Sequence, residues 1–186
     1  MAVQVLRHRF TVDDYHRMGE AGILSAADRV ELIDGEVVVM TPIGSSRAGT
    51  TAYLDRALSP RLGERALVWV QNPIFLPPHS EPQPDLAVLR PRSDYYRQAH
   101  PRPGDIFFLV EVSDTTGEYD RTVKIPLYAQ AGIQEVWIVD LAAECIEVYR
   151  QPAAGPYQQV QRFPRGQSVA PQAFPDLRLA VDGILG

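Results

Sequence analysis

The segment FFLVEVSDTTGEYDRTVK, Phe107 to Lys124, contains a carboxylate at a position where the pattern predicts a buried strand. It begins as an apolar β-strand, yet Glu111 falls among its Phe, Leu and Val residues. Removing a carboxylate from water is costly unless another group pairs with it or coordinates it. The rest of the chain must therefore supply a partner for Glu111.

Alternation along this strand divides its side chains into two sets. One face is expected to carry Phe108, Val110 and Val112. The opposite face is expected to carry Phe107, Leu109, Glu111 and Ser113. Glu111 then lies near the C-terminal end of its strand, where α/β sheets usually place their sites.

Composition and charge indicate an ordinary globular protein. The length of 186 residues suits one domain with a sizeable core, so we expect a single domain over residues 1–186. A hydrophobic content of 45% with 22% charged residues argues against disorder. The formal charge of −5 disfavours nonspecific nucleic-acid binding unless basic residues cluster locally.

Cysteine content and hydropathy indicate which compartment the protein occupies. The single cysteine, Cys145, can form neither an internal disulfide nor a cysteine zinc site. The start, MAVQVLRHRF, lacks the apolar core of a signal peptide, and no apolar run is long enough to cross a membrane. We therefore expect a cytoplasmic protein.

The first half of the chain predicts an N-terminal helix and a β-hairpin. Thr11, followed by acids, is typical of a capped helix start. Asp34-Gly35 between β-branched residues indicates the hairpin turn. TPIGSSRAG is then predicted as a loop, and a helix is predicted from Thr50 to about Leu58, ended by Ser59-Pro60.

The remaining elements predict a mixed α/β domain. Strands are expected at ALVWV, PDLAVL, FFLVEVS, EVWIVDL, CIEVYR and YQQVQRF. DRTVKIPLYAQAG is typical of a helix capped by Asp120 and closed by Gly132, with Pro126 kinking it or delaying its start. The tail, SVAPQAFPDLRLAVDGILG, is expected to be a loop with a final strand or short helix.

A second acid and a lysine suggest what accompanies Glu111. Asp85 opens the PDLAVL strand, and if the two strands pair, Asp85 and Glu111 can converge on one hard cation such as magnesium. Lys124, in the following helix, could steady a phosphate oxygen or position the attacking water. Glu31 in VELI is a candidate third acid.

Each of these residues is also open to a simpler interpretation. Glu111 could pair with an arginine, and Asp85 could be a solvated turn residue. Lys124 could be an exposed helix lysine, and Glu31 a cross-strand partner. Only their joint occurrence favours a site, because short patterns of two acids and a lysine also arise by chance.

The loop after the Asp85 strand carries the clearest local basic cluster. Arg90, Arg92 and Arg97 could contact phosphates, and the interleaved Tyr95 and Tyr96 could stack on bases. A solvated loop balanced by nearby aspartates is an equally open interpretation.

These motifs together resemble the Uma-two family of restriction endonucleases, within the PD-(D/E)XK nuclease superfamily. The resemblance is carried by PDLAVL, FFLVEVS and the spacing Asp120-x3-Lys124-x3-Tyr128-x3-Gly132, followed by EVWIVD. ELIDGEVVVMTP, Glu31 to Pro42, resembles the N-terminal signature of the family. The resemblance runs from the first helix to the closing strands.

The resemblance implies a restriction-endonuclease-like fold, with a mixed central sheet flanked by helices, and a magnesium-dependent phosphodiesterase site. Pro84-Asp85 matches the "PD" of the superfamily, and Glu111 matches its second acid. Ser113 stands where the superfamily lysine ordinarily lies, so Lys124 corresponds to a lysine moved to the helix. Arg47 stands where the family usually carries a histidine.

We therefore predict an endonuclease that hydrolyses nucleic-acid phosphodiester bonds, with DNA as its partner and Mg²⁺ or Mn²⁺ as its cofactor. Asp85 and Glu111 would bind the metal, Lys124 would stabilise the transition state, and Glu31 would act as an accessory catalytic acid. The residues predicted to hold the nucleic-acid backbone are Arg47, Arg90, Arg92 and Arg97.

Two further expectations concern partners and activity. The resemblance to nucleases that cut both strands favours a homodimer, formed through the EVWIVDL strand and the C-terminal segments. The alternative function is that of a catalytically degraded nuclease-fold module that binds nucleic acid or a protein partner.

Overall fold

The computed structural model describes residues 7–25, 27–114, 116–153 and 155–186. The first six residues, which form part of the signal-peptide argument, lie outside these ranges. Within the described ranges, no helix has the length and apolar character needed to cross a membrane.

The N-terminal helix and hairpin are confirmed. Helix α1 (Val12–Glu20) begins with a capping box, in which the Thr11 side chain accepts from the Asp14 amide and the Asp14 carboxylate accepts from the Thr11 amide. Strands β1 (Val30–Ile33) and β2 (Glu36–Val39) pair antiparallel around the turn. Both turn residues have positive φ, 48° at Asp34 and 80° at Gly35, as the Asp-Gly sequence predicts.

Gly35 offers a test of this turn. A Cβ built at Gly35 would lie 2.6 Å from the Arg9 Cβ, and the φ of +80° is already unfavourable for other residues. Gly35→Ala is therefore expected to lower the free energy of unfolding by about 1–3 kcal/mol. The control is Gly19→Ala in α1, where a Cβ meets nothing within 4 Å. Equal urea midpoints for the two variants would contradict the prediction.

Helix α2 (Ser45–Leu62) is longer than the sequence patterns predict. It starts at Ser45 instead of Thr50, which places Arg47 on the first helical turn and not in a loop. It also continues past Pro60, because Leu54, Leu58 and Leu62 form one buried row and Pro60 removes a single amide near the helix end.

The central sheet has six strands, and each lies beside its neighbours in chain order. The strands are β3 (Leu67–Val70), β4 (Leu86–Leu89), β5 (Ile106–Ser113), β6 (Glu135–Asp140), β7 (Cys145–Pro152) and β8 (Tyr157–Pro164). Only β5 and β6 pair in parallel among these strands. The predicted mixed sheet flanked by helices is confirmed.

The parallel pair requires a crossover, which a continuous helical segment supplies. It consists of α3 (Gly117–Tyr119), a π-helical turn (Asp120–Lys124) and α4 (Ile125–Gln130). The prediction that Asp120 caps this helix was wrong, because the helix starts three residues earlier, at Gly117. The Ile125 amide donates to the Asp120 carbonyl, a π-type hydrogen bond, and Pro126 then falls in the first turn of α4.

The sheet separates two hydrophobic clusters. One cluster contains Phe108, Val110 and Val112 with the α2 leucines and the C-terminal segment. The other contains Leu109 with residues of α4 and β6. Phe107 packs with the first cluster, against prediction, because the register shifts at Val88 and Leu89 and leaves Phe107 opposite no partner.

The C-terminal segment forms β9 (Ser168–Val169), β10 (Leu179–Ala180) and α5 (Val181–Leu185). The expected dimer surface on EVWIVDL is not available, because β6 lies inside the sheet between β5 and β7 and all its residues are buried. Homodimerisation itself stays a prediction.

Candidate nuclease site

The sheet brings Asp85 and Glu111 to neighbouring positions. Leu86 pairs with Val110 across β4 and β5, so the preceding Asp85 lies beside Glu111. The Val112 amide donates to the Asp85 Oδ2 atom at 2.8 Å. Both acids are 1% exposed, which explains why each needs a partner inside the protein.

Lys124 reaches the same place from the π-helical turn. Its Nζ donates to the Glu111 Oε1 atom at 3.2 Å and lies 3.5 Å from the Glu31 Oε2 atom. Glu31, on β1, also accepts from the Gln83 amide at 3.0 Å. The four residues predicted as catalytic therefore lie together, although they come from distant parts of the chain.

Tyr128 was missed by the sequence reasoning. Its hydroxyl donates to the Glu111 Oε1 atom, which also accepts from Lys124. Its position four residues after Lys124 was the available signal, because that spacing places both side chains on one helix face. The other oxygen of Glu111, Oε2, is buried and has no hydrogen-bond partner among the described residues.

Asp120 is a fourth acid of the site and not a helix cap. Its carboxylate is buried, accepts from the Thr116 hydroxyl at 2.9 Å and lines the same cleft as Lys124. Its position four residues before Lys124 predicts this placement as well.

Composition was a further signal for Lys124, because Lys124 is the only lysine of the chain and every other cationic side chain apart from histidine is arginine.

The Arg47 side chain pairs with Asp85 inside the protein and does not lie on an exposed surface. Its Nε lies 2.9 Å from both Asp85 oxygens, and its Nη2 lies 2.9 Å from Oδ2. The Gln71 amide nitrogen donates to Oδ1 at 3.3 Å. The Arg47 side chain is 15% exposed, so this is a largely buried ion pair.

The electrostatics of the site reflect an excess of acids over cations. Burial raises the pKa of Glu111 to about 8, although Lys124 opposes the shift, and burial also raises the pKa of Asp120. Burial alone would lower the pKa of Lys124, but Glu111 and Glu31 outweigh it and raise that pKa. These shifts favour the ammonium form of Lys124 and the protonated form of Glu111.

These residues form the floor of a cleft of about 660 Å³. The polar floor contains Glu31, Arg47, Asp85, Asp120 and Lys124. One apolar wall comes from the hairpin and the segment after it, namely Val38, Val39, Met40 and Ile43, and the rest of the lining is mostly polar. Glu111 is not a lining residue, so it reaches the cleft through its hydrogen bond with Lys124.

The loop arginines lie away from this cleft. The four residues of β4 separate Asp85 from Arg90, so the loop begins at the opposite end of the strand. Arg90 stacks 4.6 Å from the Phe107 ring centroid, and Arg92 pairs with Asp94. Arg97 lies 5.8 Å from the centroid of Tyr95. The structure therefore does not bring these arginines to the site.

The present arrangement does not fit a divalent cation. In the described part of the chain, no three His, Cys, Asp or Glu side chains are grouped so that they could hold a metal ion. The oxygens of Asp85 already accept from Arg47, Gln71 and Val112. Of the two predicted ligands, Glu111 keeps one unpartnered oxygen, Oε2, and one carboxylate oxygen is too few for a magnesium site.

Comparison with solved structures shows that another protein shares the fold. The chain is similar to a protein described as "a putative nuclease belonging to DUF820" from Anabaena variabilis ATCC 29413. The TM-score is 0.68 with 16% sequence identity, over 95% of this chain and 97% of the other. At this identity the likeness shows the fold alone. No curated protein matches the chain.

The sequence itself carries the family assignment. Residues 12–182 match the Uma2 family, described as "Putative restriction endonuclease". This match covers α1, the hairpin, the whole central sheet and all the residues of the cleft floor. The chain therefore belongs to the Uma2 family.

Proposed function

We propose that this protein is a nuclease that hydrolyses phosphodiester bonds of nucleic acid, with DNA as the substrate class, in the cleft above Lys124. The observation that carries the proposal is the meeting of one buried lysine with Glu31, Asp85, Glu111 and Asp120. Buried titratable groups with shifted pKa values, gathered beside a cleft, are typical of a catalytic site. The family description and the similar fold support the same activity.

In this proposal, Lys124 contacts the scissile phosphate. An ammonium has three N–H donors, and Glu111 with Glu31 can occupy two of them. The third can donate to a phosphate oxygen and stabilise the charge that develops there. Tyr128 and Glu111 then act as positioning residues that hold the ammonium, and Glu31 steadies it from the hairpin side.

Charge balance favours a cationic cofactor. Three acidic side chains of the cleft floor, Glu31, Asp85 and Asp120, outnumber its two internal cations, so a polyanionic substrate would enter unfavourably without additional positive charge. The family resemblance implies Mg²⁺ or Mn²⁺ with Asp85 and Glu111 as ligands, and such an ion would lower the pKa of bound water. Asp85 is closed to such an ion in the present arrangement, because Arg47 occupies its oxygens.

The outer contacts are less closely defined. The apolar wall around Val38 and Met40 could pack against a sugar or base of the bound strand. Arg90, Arg92 and Arg97 would contact only nucleic acid that extends well beyond the cleft. Two copies of the chain would be needed to cut both strands at once, which is the reason for proposing a homodimer.

The test is cleavage of supercoiled plasmid and of single-stranded RNA with Mg²⁺ or Mn²⁺. We expect the wild type to nick plasmid, and Asp85→Ala and Glu111→Ala to lower the rate by about 100-fold or more. Asp176→Ala, an exposed carboxylate outside the cleft, is the control and should keep full activity. Circular dichroism verifies that all variants fold.

Two results would reject the enzyme. Equal cleavage by the wild type and both acid variants would indicate a contaminating nuclease. No cleavage by the wild type, with retained oligonucleotide binding, would favour the alternative of a catalytically degraded nuclease-fold module. The closed Asp85 carboxylate is the observation that keeps this alternative open.

A further inference from the structure

The Asp85 carboxylate is occupied on every side. Oδ1 accepts from Arg47 Nε at 2.9 Å and from Gln71 at 3.3 Å. Oδ2 accepts from Arg47 Nε and from the Val112 amide, and the Arg47 Nη2 also lies 2.9 Å from it. A carboxylate offers about four lone-pair positions, so none is left for another ligand.

Arg47 thus holds the position where a cation would bind Asp85. A guanidinium is charged at all ordinary pH values, and its planar fork matches a carboxylate. The carboxylate is only 1% exposed, so leaving it without a cation would be costly. Arg47 and a divalent ion therefore compete for the same oxygens.

We propose that Arg47 is an internal cation that closes Asp85 against divalent metal, and that it opens the site by moving to a phosphate of the bound nucleic acid. This proposal rests on the proposed nuclease function, since it names the regulation of that site. Substrate and metal would then bind cooperatively, because the substrate removes the group that excludes the metal.

The position of Arg47 makes this exchange feasible. Its Cα is fixed on the first turn of α2, while its side chain lines the cleft and remains 15% exposed. A phosphodiester offers two oxygens to the same bidentate fork, so the guanidinium exchanges one anionic partner for another. On release, the Asp85 oxygens would keep only the Gln71 and Val112 donors and could accept a cation.

The single lysine provides a direct probe of metal binding at this site. Protein labelled with ¹³C-lysine gives one lysine Cε signal, and Mn²⁺ bound nearby broadens it. We expect little broadening in the wild type at Mn²⁺ concentrations that erase the signal in Arg47→Ala. The affinity should tighten about tenfold or more, because removing Arg47 leaves every molecule in the open form.

Matched variants separate this effect from a general loss of structure. Arg56→Ala, an exposed arginine on the same helix, should behave as the wild type. Arg47→Ala/Asp85→Asn should fold without the unpaired charge yet bind no Mn²⁺. If Arg47→Ala is too unstable to label, Arg47→Gln replaces it, and the melting temperature of either variant should rise with Mn²⁺ while that of the wild type does not.

A phosphorothioate DNA duplex added to the wild type tests whether nucleic acid draws Arg47 away from Asp85. We expect the duplex to bring the Mn²⁺ broadening of wild-type Lys124 close to that of Arg47→Ala without DNA. Equal Mn²⁺ binding by wild type and Arg47→Ala, or none by either, would reject the proposal that Arg47 excludes metal from Asp85. If the duplex has no effect on Mn²⁺ binding, the proposal that Arg47 moves from Asp85 to a phosphate is rejected.

These outcomes are distinct from failure of the nuclease proposal. Metal binding that appears in Arg47→Ala without any cleavage would reject the nuclease and leave the role of Arg47 intact. Metal-dependent cleavage by a wild type that binds Mn²⁺ as tightly as Arg47→Ala would support the nuclease and reject the role of Arg47.

Discussion

Replacing Lys124 by Met is expected to lower the free energy of unfolding by about 3–5 kcal/mol at pH 8, the usual cost of breaking a buried ion pair. Met keeps most of the side-chain volume, so the change removes charge and hydrogen bonds with little loss of packing. Without the ammonium, Glu31, Glu111 and Asp120 lose their shared cation, and Arg47, the other cation of the cleft floor, is paired with Asp85. The loss should be smaller at pH 5, because burial raises the pKa values of Glu111 and Asp120 and so favours their neutral forms as pH falls.

The measurement is urea unfolding of the wild type and the variant at both pH values. Glu111→Gln/Lys124→Met should recover part of the loss at pH 8, because it removes the carboxylate that the ammonium paired with. Arg56→Met, an exposed cation, is the matched control and should change stability by no more than about 0.5 kcal/mol. A Lys124→Met protein as stable as this control would show that the ammonium is not held by the acids.

The sequence predicted which side chains lie together better than it predicted the helices that carry them. The placement of Glu111 among apolar residues was informative because burial of a carboxylate is costly, and the structure resolves that cost with Lys124 and Tyr128. Register then follows from strand pairing, since an acid that opens β4 must lie beside an acid near the end of β5. Both inferences need only alternation and the cost of desolvation.

Helix boundaries and long-range partners were less accessible. The starts of α2 and of the crossover helix were placed too late, because neither helix begins with a side-chain cap that a sequence pattern could indicate. Arg47 could be assigned to phosphate or to Asp85 only once its helix was placed. Arg90 appeared close to Asp85 along the chain, but an extended strand carries it to the far end of the sheet.

Glu111 should also make the stability of the protein fall as pH rises. Burial raises its pKa from the ordinary 4.5 to about 8, so the folded state holds a proton that the unfolded chain has lost between these values. Stability contributed by this group is fully present below the unfolded pKa and is lost as pH rises through the folded pKa. The expected slope is about 1.4 kcal/mol for each pH unit in this window.

Glu111→Gln is the control that isolates the slope, because an amide resembles the protonated acid and does not titrate. Relative to this variant, the wild type should lose several kcal/mol between pH 5 and pH 8 in guanidinium unfolding. The opposite balance, in which the pairing with Lys124 dominates over burial, would ionise Glu111 throughout the window. The wild type would then be the more stable protein at pH 8. Its free energy of unfolding relative to Glu111→Gln would not fall as the pH rises from 5 to 8. The experiment thus decides whether burial or ion pairing sets the charge of the acid behind Lys124.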